Sequence, residues 1–182
     1  MADARAGEPL RIRDAGPGDV ALLLELFGEL ARYEHLEHEL HATEEQLAEA
    51  LFGERPAAQA LIAELDSQPV GYALFFPTFS SFLASAGVWL EDLFVRPANR
   101  GEGVGKALLE AVAALVRERG GERLEWAALD WNELALGFYR GIGAKTMNEW
   151  ITHRLDGEAL KRVAAQGATT MQGGARSAEE RR

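Results

Sequence analysis

The chain has 182 residues, 47% of them apolar and 26% charged, with a formal net charge of −10 and no cysteine. That length suits one domain with a full core, the absent thiols exclude a disulfide framework and thiol chemistry, and the acidic balance argues against nucleic acid and suits a cationic small partner. No run approaches the roughly 18 apolar residues of a membrane span, and the N-terminus lacks a signal peptide's basic start and apolar centre. The expectation is a cytoplasmic protein with no membrane partner.

Residues 1–9 are small and polar and read as an unstructured start. Leu10 to Arg13 alternates as an opening strand. Gly16-Pro17-Gly18 is a turn, after which Asp19 can cap a helix with Leu22, Leu23, Leu26, Leu30 and Tyr33 as its apolar stripe. Thr43-Glu44-Glu45-Gln46 is a capping box that opens a second helix, with Leu47 and Leu51 facing inward. Ala60–Glu64 and Val70–Phe76 read as a hairpin turning at Asp66-Ser67-Gln68-Pro69. Pro77 to Gly87 reads as a loop carrying Phe79 and Phe82.

Val88 to Val95 has the composition of a buried strand, interrupted by Glu91 and Asp92. Neighbouring strand residues point to opposite faces, so at most one of these acids faces a given pocket. From Val104 onward the apolar residues fall at helical spacing, and Gly120 sits where the helix should stop. Leu124–Leu129 reads as a further strand. Asn132 is a natural N-cap for a helix over Leu134–Ile142 ended by Gly143. Trp150–Leu155 reads as a last strand, and Asp156 caps a short helix to about Ala165. Residues 167–182 read as a tail poor in bulky apolar groups. No repeat and no second domain is visible, so one domain is expected over residues 10–166.

Between strand and helix lies Arg100-Gly101-Glu102-Gly103-Val104-Gly105. A helix start leaves about four N–H groups without intrahelical partners and carries partial positive charge. Glycines let an anion approach those donors, and Arg100 adds a cation that pairs with phosphate oxygens. The turn therefore reads as a pyrophosphate seat. A Walker A loop does not fit, because Arg100 stands where its first glycine belongs and Ala107 follows Lys106. A dinucleotide fingerprint fails too, since Lys106 or Leu108 occupies its third glycine.

Arg100-x-x-Gly103-x-Gly105, after a strand and opening a helix, resembles the Gcn5-related N-acetyltransferase (GNAT) family. Leu129-Asp130-Trp131-Asn132-Glu133 and Phe138-Tyr139-Arg140-Gly141-Ile142-Gly143-Ala144 resemble that family's later block. Leu90-Glu91-Asp92, Trp131-Asn132-Glu133 and Leu30-Ala31-Arg32-Tyr33-Glu34 resemble its spermidine/spermine (diamine/thialysine) branch. The similarity runs from about Arg11 to Ala164. It implies an α/β fold with a mixed, largely antiparallel central sheet and helices on both faces. It also implies acetyl-coenzyme A as co-substrate and a homodimer; no metal is expected, on the spacing of the histidines.

The resemblance implies that Gly101, Glu102, Gly103, Val104, Gly105 and Lys106 hold the pyrophosphate with Arg100. The backbones of Leu93, Phe94 and Val95 would bind the pantetheine amides, with Asn132 and Tyr139 as further cofactor contacts. Acyl transfer to an amine needs the neutral amine, and an ammonium of pKa about 10.4 leaves only about one molecule in a few thousand ready at pH 7. Glu91 is the candidate for removing that proton or for orienting the amine. Tyr139 is the candidate for protonating the leaving thiolate. Asp92 reads as a structural hydrogen-bonding group.

In this branch Tyr33 and Glu34, with Glu37 and Glu39 after them, lie near the acceptor channel, and Trp126, Asn148, Glu149 and Trp150 could add walls or acids to it. Leu74 to Leu90 lacks the acid that the branch carries before its central strand; Ser81 stands near its place. That departure weakens the case for a long polyamine and leaves shorter amines, such as thialysine or a lysine-like amino acid, beside the diamines. Two other readings keep the fold: acetylation of a protein N-terminus or lysine side chain, and an acyl-coenzyme A sensor without turnover. His35, His38 and His41 lack the i, i+4 spacing of a helical zinc site, and no Gly-x-Ser-x-Gly occurs.

Overall fold

The computed structural model describes residues 9–167; the expectations for residues 1–8 and 168–182 fall outside that range. Two compact units are present, one up to Leu129 and one from Asp130.

The first unit is built on a five-stranded sheet in the order β1 (Arg11–Asp14), β2 (Gln59–Leu65), β3 (Gln68–Ser80), β4 (Ser85–Val95) and β5 (Arg123–Trp126). Neighbours are antiparallel except β4 and β5, which run parallel. The sheet is thus mixed and largely antiparallel, as expected. The β2–β3 turn is two residues, Asp66 and Ser67, both left-handed at φ 48° and 59°. That is the backbone that matches the twist of a tight hairpin.

Helices α1 (Val20–Glu34) and α2 (Glu44–Phe52) cover one face of the sheet. Their Leu23, Leu26, Leu47 and Leu51 pack in one cluster with Ala60, Ile62, Tyr72 and Phe94. Residues of opposite strand parity, Leu61, Ala63 and Ala73, are buried as well. They face α3 (Val104–Glu118), whose Val104, Leu108, Leu109, Val112 and Val116 are buried. Burial of whole aliphatic side chains, about 1.5–3 kcal/mol each, is what fixes this unit.

Local signals set the helix limits. Thr43 and Gln46 form the expected capping box, the Thr43 hydroxyl accepting from the Gln46 N–H and the Gln46 side chain from the Thr43 N–H. Asp19 holds the cap position of α1 but makes no cap hydrogen bond. Its carboxylate instead accepts from the Gly16 N–H and pairs with Arg13 at 2.7 Å. Gly120, at φ 73°, ends α3 as expected.

Two strand expectations need correction. Residues 77–87 are not a loop: β3 and β4 stay paired from Pro77↔Val88 to Ser80↔Ser85, leaving only 81–84 as the turn. The mixed composition of that stretch hid a hairpin whose partner is supplied by β4. Trp150–Leu155, expected as a strand, is irregular. A strand needs a neighbour for its N–H and C=O groups, and none pairs with this stretch among the described residues.

The second unit contains α4 (Glu133–Gly141) and α5 (157–167). Asn132 caps α4 as expected, its side-chain oxygen accepting from the Ala135 N–H at 3.2 Å. Gly143, at φ 85°, follows the helix end. Among the described residues no helix is long and apolar enough to cross a membrane.

Candidate active site

The acids of β4 lie at a bulge. Leu74 is opposite Asp92 and Phe75 is opposite Leu90, so Glu91 is the unmatched extra residue. A bulge interrupts simple alternation and re-aims the side chains around it. Glu91 is exposed, and its Oε2 accepts from the Trp89 indole N–H at 2.8 Å. Asp92 is partly buried and accepts from the Tyr72 hydroxyl at 3.0 Å, which matches the hydrogen-bonding role expected for it.

Burial pushes the Asp92 carboxyl up to about 6. The Tyr72 hydrogen bond acts against that shift, while the charges of Glu91 and Glu34 add to it. Burial also raises Glu34, and it raises the Tyr72 phenol, to which Asp92 and Glu34 add. The bulge thus gathers three acids within electrostatic reach of one another.

Beyond Leu90↔Trp126 the β4–β5 pairing stops, although β4 continues to Val95. Alternate residues of 91–95 therefore turn their N–H and C=O groups toward an edge with no partner strand among the described residues. Leu93, Phe94 and Val95, expected to contact pantetheine amides, are on this splayed segment.

The turn that follows runs through the 3₁₀ residues Pro97–Asn99 into α3. Gly101 and Gly103 are left-handed at φ 83° and 86°, a conformation glycine adopts without penalty. A Cβ built on either one meets nothing within 4 Å, so the space beside this backbone is open. Gly103 caps α3 without a side-chain hydrogen bond. The first intrahelical bond of this end runs from the Ala107 N–H to the Gly103 carbonyl, at 2.9 Å. Val104, Gly105 and Lys106 therefore present N–H groups that no preceding helical turn satisfies.

Arg100 donates Nε–H to the Val95 carbonyl at 3.0 Å and lies over the Tyr33 ring, 4.2 Å from its centroid. Uncapped amides, open glycines and an anchored guanidinium form a chemical environment that fits a diphosphate. Lys106 pairs with Glu110 at 2.7 Å, so its amide, rather than its side chain, belongs to this turn. Glu102 is exposed beside it.

Tyr33 and Glu34 occupy the last turn of α1. Trp126 ends β5, opposite Leu90. In the second unit, Tyr139 is in the middle of α4, its ring 5.3 Å from that of Phe138, and its carbonyl accepts from the Ala144 N–H at 3.1 Å. Asn148 and Trp150 belong to the irregular segment after α4, where the Trp150 N–H donates to the Met147 carbonyl. Among the described residues no group of three or more His, Asp and Glu side chains is placed to hold a metal ion.

Sequence reasoning missed three features of the site. Tyr72 as partner of Asp92 comes from strand pairing between residues 20 apart in sequence, which no local pattern reveals. The bulge at Glu91 depends on register. The Trp89–Glu91 bond, by contrast, joins residues only two apart, so their proximity was legible even though the bulge breaks the alternation.

A match to the family described as "Acetyltransferase (GNAT) family" covers residues 22–144. The chain is 36% identical to thialysine N-epsilon-acetyltransferase of Bos taurus, over 85% of this chain and 97% of that protein. It is 33% identical to L-ornithine N5-acetyltransferase NATA1 of Arabidopsis thaliana, over 84% and 87% of the two. Among solved structures, an integron cassette protein from the mobile metagenome of V. cholerae aligns with TM-score 0.72 and 28% identity, over 85% of this chain and 97% of that one. Family, fold and the diamine-type branch expected from the motifs all agree with these matches. The chain belongs to the GNAT family and is an acetyltransferase.

Proposed function

We propose that the protein moves acetyl from acetyl-coenzyme A to a primary amine of a small cationic acceptor, by direct attack in a ternary complex. The acceptor class is a diamine, a polyamine or a thialysine-like amino acid, and the last fits best. The observation that carries this is similarity to thialysine and ornithine acetyltransferases over 97% and 87% of their own lengths. Both named substrates are amino acids with a terminal side-chain amine. The absence of an acid from Leu74 to Leu90 points the same way, away from long polyamines.

When bound, acetyl-coenzyme A supplies an activated acetyl thioester. The amides of Gly101 to Lys106, with Arg100, hold its diphosphate, and the splayed backbone of Leu93 to Val95 takes the pantetheine amides. Asn132 contributes a cofactor contact beside its capping role. Glu91 accepts the amine's proton, directly or through water, or orients the amine, and Tyr139 protonates the leaving sulfur. Glu34, with Tyr33, Trp126, Asn148 and Trp150, shapes the acceptor channel. The working form is a homodimer in the cytoplasm, with residues 10–166 as one catalytic domain and no metal.

Thiol release from acetyl-coenzyme A, followed with ornithine, thialysine, lysine, spermidine and a short lysine peptide, tests this reading. Turnover with the free amino acids is expected to exceed that with the peptide. A preference for the peptide, or no turnover with any amine, would remove the proposal.

A further inference from the structure

One stripe of α1 grips the segment that leaves β4. Glu25, Glu29 and Tyr33 recur at i, i+4 and i+8, so they share a helix face. Arg96 donates to Glu25 at 2.5 Å and to Glu29 at 2.7 Å, and its Nη1 donates to the Pro69 carbonyl at 2.9 Å. Four residues on, Arg100 lies on the Tyr33 ring at 4.2 Å, with the Phe94 ring at 5.9 Å. The helix turn carrying Tyr33 is itself fixed: His35 is left-handed at φ 60°, and the Leu36 N–H closes on the Ala31 carbonyl at 2.8 Å.

Arg100 is thereby restrained on two sides. Its Nε–H goes to the Val95 carbonyl, the one hydrogen-bond acceptor its side chain takes among the described residues. The Tyr33 face covers the plane of the guanidinium. What remains of the five-donor fork is its Nη edge. An arginine held this way loses less freedom when a phosphate arrives than one free to swing.

We infer that Tyr33 is a positioning residue for Arg100, so that its ring strengthens the grip on the donor's diphosphate without touching the reacting atoms. This rests on the diphosphate seat proposed above and gives Tyr33 a duty distinct from lining the acceptor channel. The contact is a cation–π pair, so the aromatic face is what matters.

The test compares wild type, Tyr33→Leu and Tyr33→Phe in the full chain, with two donors. Acetyl-coenzyme A carries the diphosphate; S-acetylpantetheine has the same thioester and amides without it. Tyr33→Leu is expected to raise KM for acetyl-coenzyme A about fivefold with kcat little changed. KM for S-acetylpantetheine is expected to stay at the wild-type value, and Tyr33→Phe to restore most of the loss. In an Arg100→Gln background, Tyr33→Leu should add nothing further to KM for acetyl-coenzyme A. Equal losses with both donors, a change confined to the amine's KM, or a Phe variant no better than Leu would each overturn the inference. Wild type that fails to use acetyl-coenzyme A at all would instead sink the proposed function, and this inference with it.

Discussion

The residues up to Leu129 and those from Asp130 onward are held by different forces. In the first unit, side chains such as Leu23, Ile62, Tyr72 and Leu108 are wholly buried, and both faces of the sheet are covered. In the second, order comes from caps and short backbone bonds: Asn132 at the start of α4, Gly143 after its end, and the Ala144 N–H on the Tyr139 carbonyl. Large apolar groups there stay in water, with Trp150 74% and Ile151 78% exposed. Arg100 and the glycines thus inherit their geometry from a packed core, whereas Tyr139 inherits its geometry from one short helix. On the proposed mechanism this divides the labour. The turn after β4 would hold the donor, and Tyr139 would protonate the leaving group.

If that division holds, substitutions should separate binding from turnover. The largest effect is expected at Tyr139→Phe, which should lower kcat by about 10²–10⁴ while leaving acetyl-coenzyme A affinity alone, since one positioned acid is lost. Equal kcat in steady-state assays would take Tyr139 out of the mechanism. Gly103→Val should weaken coenzyme A binding by about 100-fold, because a β-branched residue is strained at φ 86° and its side chain fills the open space beside the amides. Calorimetry reads this directly, and a melting curve separates it from unfolding.

Glu91→Gln comes next, with an expected loss of about tenfold or more in kcat/KM for the amine. A fall in kcat with a shifted pH profile marks Glu91 as the base. A rise in amine KM alone marks it as an orienting group.

The smallest effect concerns stability. Burial raises Asp92 from its ordinary 3.8 to about 6, so between those values the folded state keeps a proton that the unfolded chain has released. Its contribution to stability therefore falls as pH rises through that window and is level above it. Asp92→Asn should remove this fall, which denaturant midpoints of wild type and variant across the window would show. Parallel pH curves would mean that Asp92 is not the group involved.

What the sequence made legible follows the same line between local and long-range order. The Thr43 box, the Asn132 cap, the Gly120 stop and the Arg100–Gly105 turn are each encoded within a few residues, and each formed where the pattern placed it. Pairing is not local. The hairpin arm at Pro77–Ser80 was hidden because its partner strand begins after the turn. Trp150–Leu155 has β-branched and aromatic residues, yet no strand pairs with it among the described residues. Asp19 shows competition between signals, since Arg13 and the Gly16 N–H outbid the helix end for its carboxylate. At the site, the acids of β4 were visible but the bulge that groups them was not, because it exists only in the register with β3. Tyr33 was visible as part of a motif, yet its contact with Arg100 joins residues far apart in the chain.

On the proposed mechanism, donor binding belongs to the turn after β4 and leaving-group chemistry to α4. Calorimetric titration of acetyl-coenzyme A into wild type, Gly103→Val and Tyr139→Phe tests it most directly. Heat of binding should be retained by the Tyr139 variant and lost or much weakened in the Gly103 variant. Full affinity in folded Gly103→Val would contradict it.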